Sequence, residues 1–187
     1  MITFDAFALL RQYGPKDRTG LRLLIAHSEA VARGALQIAH KSNGKNIDEI
    51  FLEQAAMVHD IGIAETDAPT IGCFGSEPYM AHGILGAALM RKLGFERHAL
   101  VCERHIGMGL SCADIVSQQL PLPMRDFVPV SLEERIICYV DNFYSKGSGE
   151  PDVPRSMNSV RNKIAGYGKR SLETFDRWAL EFGSVEF

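Results

Sequence analysis

Six polar residues stand where the helical pattern of this chain asks for apolar ones. His27 has Leu23 and Leu24 one turn before it and Ala30 and Val31 one turn after, so it projects from the stripe that should face a core. His59 follows Ala55 and Ala56 by one turn, and Asp60 follows Ala56 and Met57. His82 shares a face with Leu85 and Leu89, and His105 follows Val101 and Cys102. Asp141 follows Ile137 and Cys138 and precedes Tyr144. A single inward histidine is ordinarily a satisfied core residue. Inward carboxylates are different, because burying one unpaired costs several kcal/mol, and such groups survive by pairing or by binding metal. Lys and Arg are absent from the apolar faces around Asp60 and Asp141, so ion pairing within these helices is not the obvious answer. Four imidazoles and two carboxylates from five helices form the ligand set of a metal centre, acceptable to one or two divalent ions of Fe, Mn, Zn, Co or Ni. A purely structural cluster is the rival reading, and closed structural sites rarely need six ligands. His40, near a helix end, and His98, near a helix start, read as background.

The elements that must position these residues are helical throughout, with no convincing period-2 strand. The spacing predicts helices over Thr3–Tyr13, Leu21–Ser42 (ended by Asn43 and Gly44), Asn46–Asp60 (with Asn46 as cap), Tyr79–Leu93, Glu96–Ile106 and Cys112–Leu120. A capping box, Ser131-Leu132-Glu133-Glu134, opens a further helix to about Lys146. The run from Gly147 to Pro154 is a hinge, followed by helices over Ser159–Gly166 and Leu172–Phe182. The expected fold class is all-α. Residues 1–146 form the metal-binding helical domain, and 147–187 a C-terminal hinge with helices packed on it. His59 and Asp60 lie about 100° apart around a helix, but Gly62 places them in its last turn, where both can reach one site. Ligands at helix ends leave coordination positions open beside loops.

The chain has 187 residues, 46% hydrophobic and 23% charged, with net charge -3. These are the properties of an ordinary globular protein, with no field that would draw it to nucleic acid or an anionic membrane. Asp5 and Arg11 break the first apolar stretch, so no signal peptide is expected, and no apolar run approaches the roughly 20 residues that span a bilayer. Cys73, Cys102, Cys112 and Cys138 form no C-x-x-C pair. The expectation is a cytoplasmic protein with reduced thiols, and a homodimer is left open.

The order His27, then His59 and Asp60, then Asp141 resembles the H…HD…D pattern of the HD-domain superfamily of metal-dependent phosphohydrolases. The string Ala55-Ala56-Met57-Val58-His59-Asp60-Ile61-Gly62 is similar to the HDIG form of its central motif. The resemblance covers about Leu21 to Lys146. Two segments, Tyr79-Met80-Ala81-His82-Gly83-Ile84-Leu85-Gly86-Ala87 and Glu103-Arg104-His105-Ile106-Gly107, resemble those that add two histidines in the binuclear branch. The resemblance implies an HD-domain-like helical bundle. It also implies one ion on His27, His59, Asp60 and Asp141 and a second on His82 and His105, with Asp60 bridging ions about 3.5–4 Å apart. The chain carries no GYP motif, which marks the cyclic di-GMP phosphodiesterase branch, nor the long extra domains of the stringent-response hydrolases. It is closer to small HDIG proteins, and more distantly to binuclear dinucleoside polyphosphate hydrolases.

The implied function is hydrolysis of a phosphate ester or anhydride of a nucleotide or small phosphorylated metabolite, through a water whose pKa the metal lowers. Asp60, as the bridge, would orient the nucleophile. Arg104 is a candidate phosphate contact, its alternative being a solvated helix face. Arg155, Arg161, Lys163, Lys169 and Arg170, with no acidic residue among them, could clamp a polyphosphate or form a solvated basic face. Two other classes are consistent with the ligand set: a binuclear-iron oxygenase of the inositol-oxygenase type, and a nucleotide sensor without turnover. Pocket shape should depend on the 65–78 loop and on the segment after Gly147.

Overall fold

The computed structural model describes residues 4–42, 46–148 and 150–185. Its α-helices are α1 (Ala6–Tyr13), α2 (Arg18–Lys41), α3 (Glu49–Val58), α4 (His82–Lys92), α5 (Glu96–Arg104), α6 (Cys112–Ser117), α7 (Leu132–Asp141), α8 (Met157–Ala165) and α9 (Lys169–Phe182). The protein is all-α apart from a two-stranded antiparallel ribbon, β1 (Asp67–Ala68) with β2 (Cys73–Phe74), paired Asp67 to Phe74 and Ala68 to Cys73.

Side-chain caps decide where the helices begin. Asp17 accepts from the Gly20 amide at 2.8 Å, which starts α2 at Arg18, three residues before the expected Leu21. Asp48 accepts from the Phe51 amide at 3.1 Å, so Asp48 caps α3 and the expected Asn46 does not. Ser156 caps α8 through the Ser159 amide, and α9 likewise starts three residues earlier than expected. Ser131 accepts from the Glu134 amide at 3.1 Å. Glu134 does not close the box on Ser131, however; its carboxylate accepts from the Val130 amide at 2.9 Å. A complete capping box joins Ser111 and Asp114 at the start of α6. Thr3 and the expected stop at Asn43 and Gly44 lie outside the described residues.

The core forms where α2 meets α3 and α7, and where α5 meets α3 and α7. Leu24, Val31, Ala35, Leu52, Ala55, Ala56, Ile136 and Ile137 are fully or almost fully buried there. Each large apolar side chain so buried contributes about 1.5–3 kcal/mol. The C-terminal helices join the same apolar cluster. Phe175 and Phe182 of α9 lie with ring centroids 5.6 and 5.5 Å from that of Tyr139 in α7. The Tyr139 hydroxyl donates to the Gly183 carbonyl at 2.8 Å. Thus α9 fixes α7, the helix whose last residue is Asp141.

On the other flank, α4 packs on α5 and on a 3-10 turn spanning Ile61–Glu65. That approach is close enough to require Gly62: a Cβ there would lie 2.2 Å from both the Gly86 amide nitrogen and the His82 carbonyl oxygen. Glu103 of α5 accepts from Arg91 of α4 and from Arg125, each at 3.0 Å. The Cys102 thiol donates to the Val58 carbonyl at 3.4 Å, joining α5 to the end of α3. The four cysteines are free thiols. Among the described residues no helix is long and apolar enough to cross a membrane.

Candidate metal centre

The six inward polar residues converge. His27 projects from the middle of α2, His59 caps the end of α3, and Asp60 precedes the 3-10 turn. His82 opens α4, His105 caps the end of α5, and Asp141 ends α7. Two ligand groups result, each with its donor atoms within 4.8 Å of one another: His27, His59, Asp60 and Asp141, and Asp60, His82 and His105. In the first, His27 Nε2 is 3.2 Å from Asp60 Oδ2 and 3.0 Å from Asp141 Oδ1. His59 Nε2 is 3.1 and 3.4 Å from the same two oxygens. In the second, His82 Nε2 and His105 Nε2 are 3.3 and 3.4 Å from Asp60 Oδ1. One carboxylate therefore presents an oxygen to each group.

Three of the imidazoles are wired alike. His59 Nδ1 lies 2.6 Å from the Ala56 carbonyl, His82 Nδ1 2.6 Å from that of Tyr79, and His105 Nδ1 2.8 Å from that of Cys102. Each partner is three residues back, so a helical turn at a helix end sets the ring. A carbonyl only accepts, so each Nδ1 carries a proton, and in its neutral form each of these rings would turn an Nε2 lone pair inward. The donor set then fits a cation on its own chemistry. His82 Nε2 and His105 Nε2 face each other at 3.2 Å, two lone pairs turned on one another when both rings are neutral. Asp60 Oδ1 beside them is buried without a hydrogen-bond partner. With both rings neutral, three acceptors meet there with no donor among them, a set that suits a positive ion. His27 differs, since its Nδ1 has no hydrogen-bond partner among the described residues.

The first group already holds a cation that the sequence reading missed. The expected helix to Lys146 stops at Asp141, and a 3-10 turn spanning Lys146–Ser148 brings the lysine back. Its ammonium donates to Asp60 Oδ2 and lies 3.1 Å from His27 Nε2. The pairing comes from outside the helical faces on which Lys and Arg are absent, because Lys146 lies beyond the end of α7. Burial would raise the Asp60 pKa, but Lys146 and His59 hold it well below the usual carboxylate range. Asp141 is held low likewise, through hydrogen bonds from His27 and His59. Burial opposes charging of His59, yet Asp60 and Asp141 outweigh it and push its pKa up to about 10. At His82 burial wins over the pull of Asp60 and takes the pKa down to about 4. Two positive groups, Lys146 and His59, thus balance two carboxylates. A divalent ion brings the same charge to one point and suits a neutral His59.

A cavity of about 240 Å³ opens beside the centre, lined among others by Tyr79, His82, Asp141, Lys146, Lys163 and Tyr167. Arg104, a candidate phosphate contact in the sequence, is not among the residues lining it. Although adjacent to His105, it points around the helix and donates to Glu134 of α7 at 3.0 Å. The C-terminal basic residues also divide. Arg161 makes two 2.8 Å bonds to Asp176, Lys169 lies 3.7 Å from Glu173, and Arg170 pairs with Asp114. Their acidic partners lie on α6 and α9, outside the run, which is why the run read as uncompensated. Lys163 alone of the five reaches the cavity. His40 is exposed beside Glu49. His98 is buried among the rings of Phe4, Phe51 and Phe95, away from the centre.

Comparison with known proteins places this geometry. An uncharacterized protein of Methanocaldococcus jannaschii is 34% identical over 122 residues, 64% of each chain. The tRNA (cytidine(56)-2'-O)-methyltransferase of Thermoplasma volcanium is 31% identical over 156 residues, 83% of this chain and 40% of that protein. The enzyme of the same name from Picrophilus torridus is 31% identical over 124 residues, 66% of this chain and 32% of that protein. The chain thus spans less than two thirds of the length of each of these relatives. No solved structure matches it. The HD domain profile matches residues 24–145, a segment that holds all six converging histidines and aspartates and ends one residue before Lys146. The chain belongs to the HD domain family.

Proposed function

We propose that this protein is a binuclear metal-dependent phosphohydrolase acting on a phosphate ester or anhydride of a nucleotide or small phosphorylated metabolite. The observation that carries the reading is Asp60, whose two oxygens face two separate groups of ligand atoms. His27, His59, Asp60 and Asp141 would hold one divalent ion, and Asp60, His82 and His105 the other. Bound there, the ions supply Lewis acidity that lowers the pKa of water and neutralises phosphoryl charge. The remaining work falls to side chains. Asp141, the one carboxylate of the centre with partial exposure, borders the cavity and would orient the attacking water there. Lys163 faces the cavity and attracts the anionic group. Tyr79 and Tyr167 wall the cavity and limit access of bulk water.

The methyl transfer named for two relatives is not carried over, since 40% and 32% of their lengths are shared. The test is element analysis of the purified protein, followed by phosphate release from nucleotides, dinucleoside polyphosphates and sugar phosphates. We expect two ions per chain and activity that is lost in Asp60→Asn with helical content retained. A protein that takes up no divalent ion, or an Asp60→Asn variant as active as the parent, overturns the reading.

A further inference from the structure

We infer that Lys146 and an ion in the first position exchange places: ion entry expels the ammonium into the adjoining cavity, where it joins Lys163 in binding the phosphoryl group. The inference rests on the centre holding divalent ions, as proposed above. The competition is a matter of shared atoms. Lys146 Nζ uses Asp60 Oδ2 and lies 3.1 Å from His27 Nε2. Both are donor atoms of the first ligand group, whose members all lie within 4.8 Å of one another. An ammonium and a divalent ion cannot both occupy a space that small, since like charges at a few ångströms repel strongly in a buried setting.

The expelled amine has one open direction. The side chain is 11% exposed, and Lys146 itself lines the cavity together with Lys163, Tyr79 and Tyr167. Its four-carbon stem can swing the charge without moving the backbone. The residue sits in a loop between α7 and α8, closed at its base by the Arg155 amide donating to the Phe143 carbonyl at 2.8 Å. Exchange therefore need not disturb α7 or Asp141. The result is a cavity wall that gains positive charge when the ion is loaded, so anionic substrate is held best by the form that can act on it.

Three measurements test this on the whole chain. With Mn2+ alone, calorimetric titration of Lys146→Met should show the first ion bound at least tenfold more tightly than in the parent, because no ammonium has to leave. Unchanged or weaker binding overturns the exchange. In the parent protein, acetic anhydride labelling of Lys146, read by mass spectrometry against the exposed Lys169, should rise several-fold when Mn2+ is added. Labelling that ignores Mn2+ overturns the exchange without any variant. With Mn2+ loaded, inorganic phosphate should bind Lys146→Met at least tenfold more weakly than the parent, and equal binding overturns the delivery of the amine to the cavity. A parent that binds no Mn2+ sinks the proposed function as well, whereas Mn2+ binding with unchanged labelling sinks this inference alone.

Discussion

Gly62→Ala is a small change with a large expected effect on the second ion position. The added methyl carbon would stand 2.2 Å from the Gly86 amide nitrogen and from the His82 carbonyl oxygen, both backbone atoms of α4. Ordinary contact begins near 3.4 Å, so the two segments must part by about 1.2 Å, the difference between those distances. No side-chain rotation can absorb this. Overpacking of this kind costs about 1–3 kcal/mol, and the lower backbone entropy of the unfolded chain with Ala, at most about 1 kcal/mol, offsets part of it. We expect a net loss of about 2 kcal/mol, a fall in melting temperature of roughly 4–8 °C for a chain of this size. The chemical consequence is sharper. His82 begins α4 and its Nε2 is 3.3 Å from Asp60 Oδ1, while metal ligands must hold their distances to about 0.2 Å. Displacement of α4 should therefore weaken the proposed second ion more than the first, whose His27, His59 and Asp141 come from α2, the end of α3 and α7. Calorimetry read with metal titration checks both. A Gly62→Ala protein that melts with the parent and binds two ions as tightly would refute the packing argument.

Other outcomes follow from the same geometry. Burial, with Arg97 beside it, depresses His98 to about 4 from an unfolded value near 6.5. The unfolded chain then binds the extra proton between those values, and stability falls as pH drops through about 6.5, by about 2 kcal/mol at pH 5. His98→Phe should flatten that part of the pH profile in chemical denaturation, and an unaltered slope would show that His98 is not its source. Lys163→Ala should raise KM for a phosphorylated substrate several-fold, while Arg104→Ala, paired to Glu134, should leave KM alone; the reverse ranking would reassign the phosphate contact. Phe175→Ala removes the ring that packs on Tyr139 and Phe143 and should cost about 3–5 kcal/mol, read by urea denaturation, with a near-neutral result denying α9 its part in fixing α7.

The converging histidines and aspartates were legible in the sequence because burial of a polar side chain is written in helical periodicity. His27 and Asp141 each sit on an apolar stripe, and the end of α3 beside Gly62 marks His59 and Asp60. Lys146 was not legible, since its place depends on where α7 stops and on a 3-10 turn, neither of which a period of 3.6 residues records. The ribbon of β1 and β2 is two residues per strand, too short for alternation to register. Asp17 was passed over as a cap because the apolar pattern starts at Leu21, and Asp48 because Asn46, two residues earlier, offers a cap of the same kind. The pairing of Arg104 was not legible because its partner Glu134 lies 30 positions away, on a helix whose contact with α5 no local pattern encodes.

Asp60 is shared between two ligand groups, and this has a thermodynamic consequence. If two ions bind as proposed, the positions would not be independent: an ion drawing electron density from Oδ2 would leave Oδ1 a poorer donor, and a second dication would arrive against the field of the first. Uptake should be stepwise, with the earlier event the stronger. At limiting supply the protein would then be mostly singly charged with metal, and turnover would follow metal concentration more steeply than simple saturation.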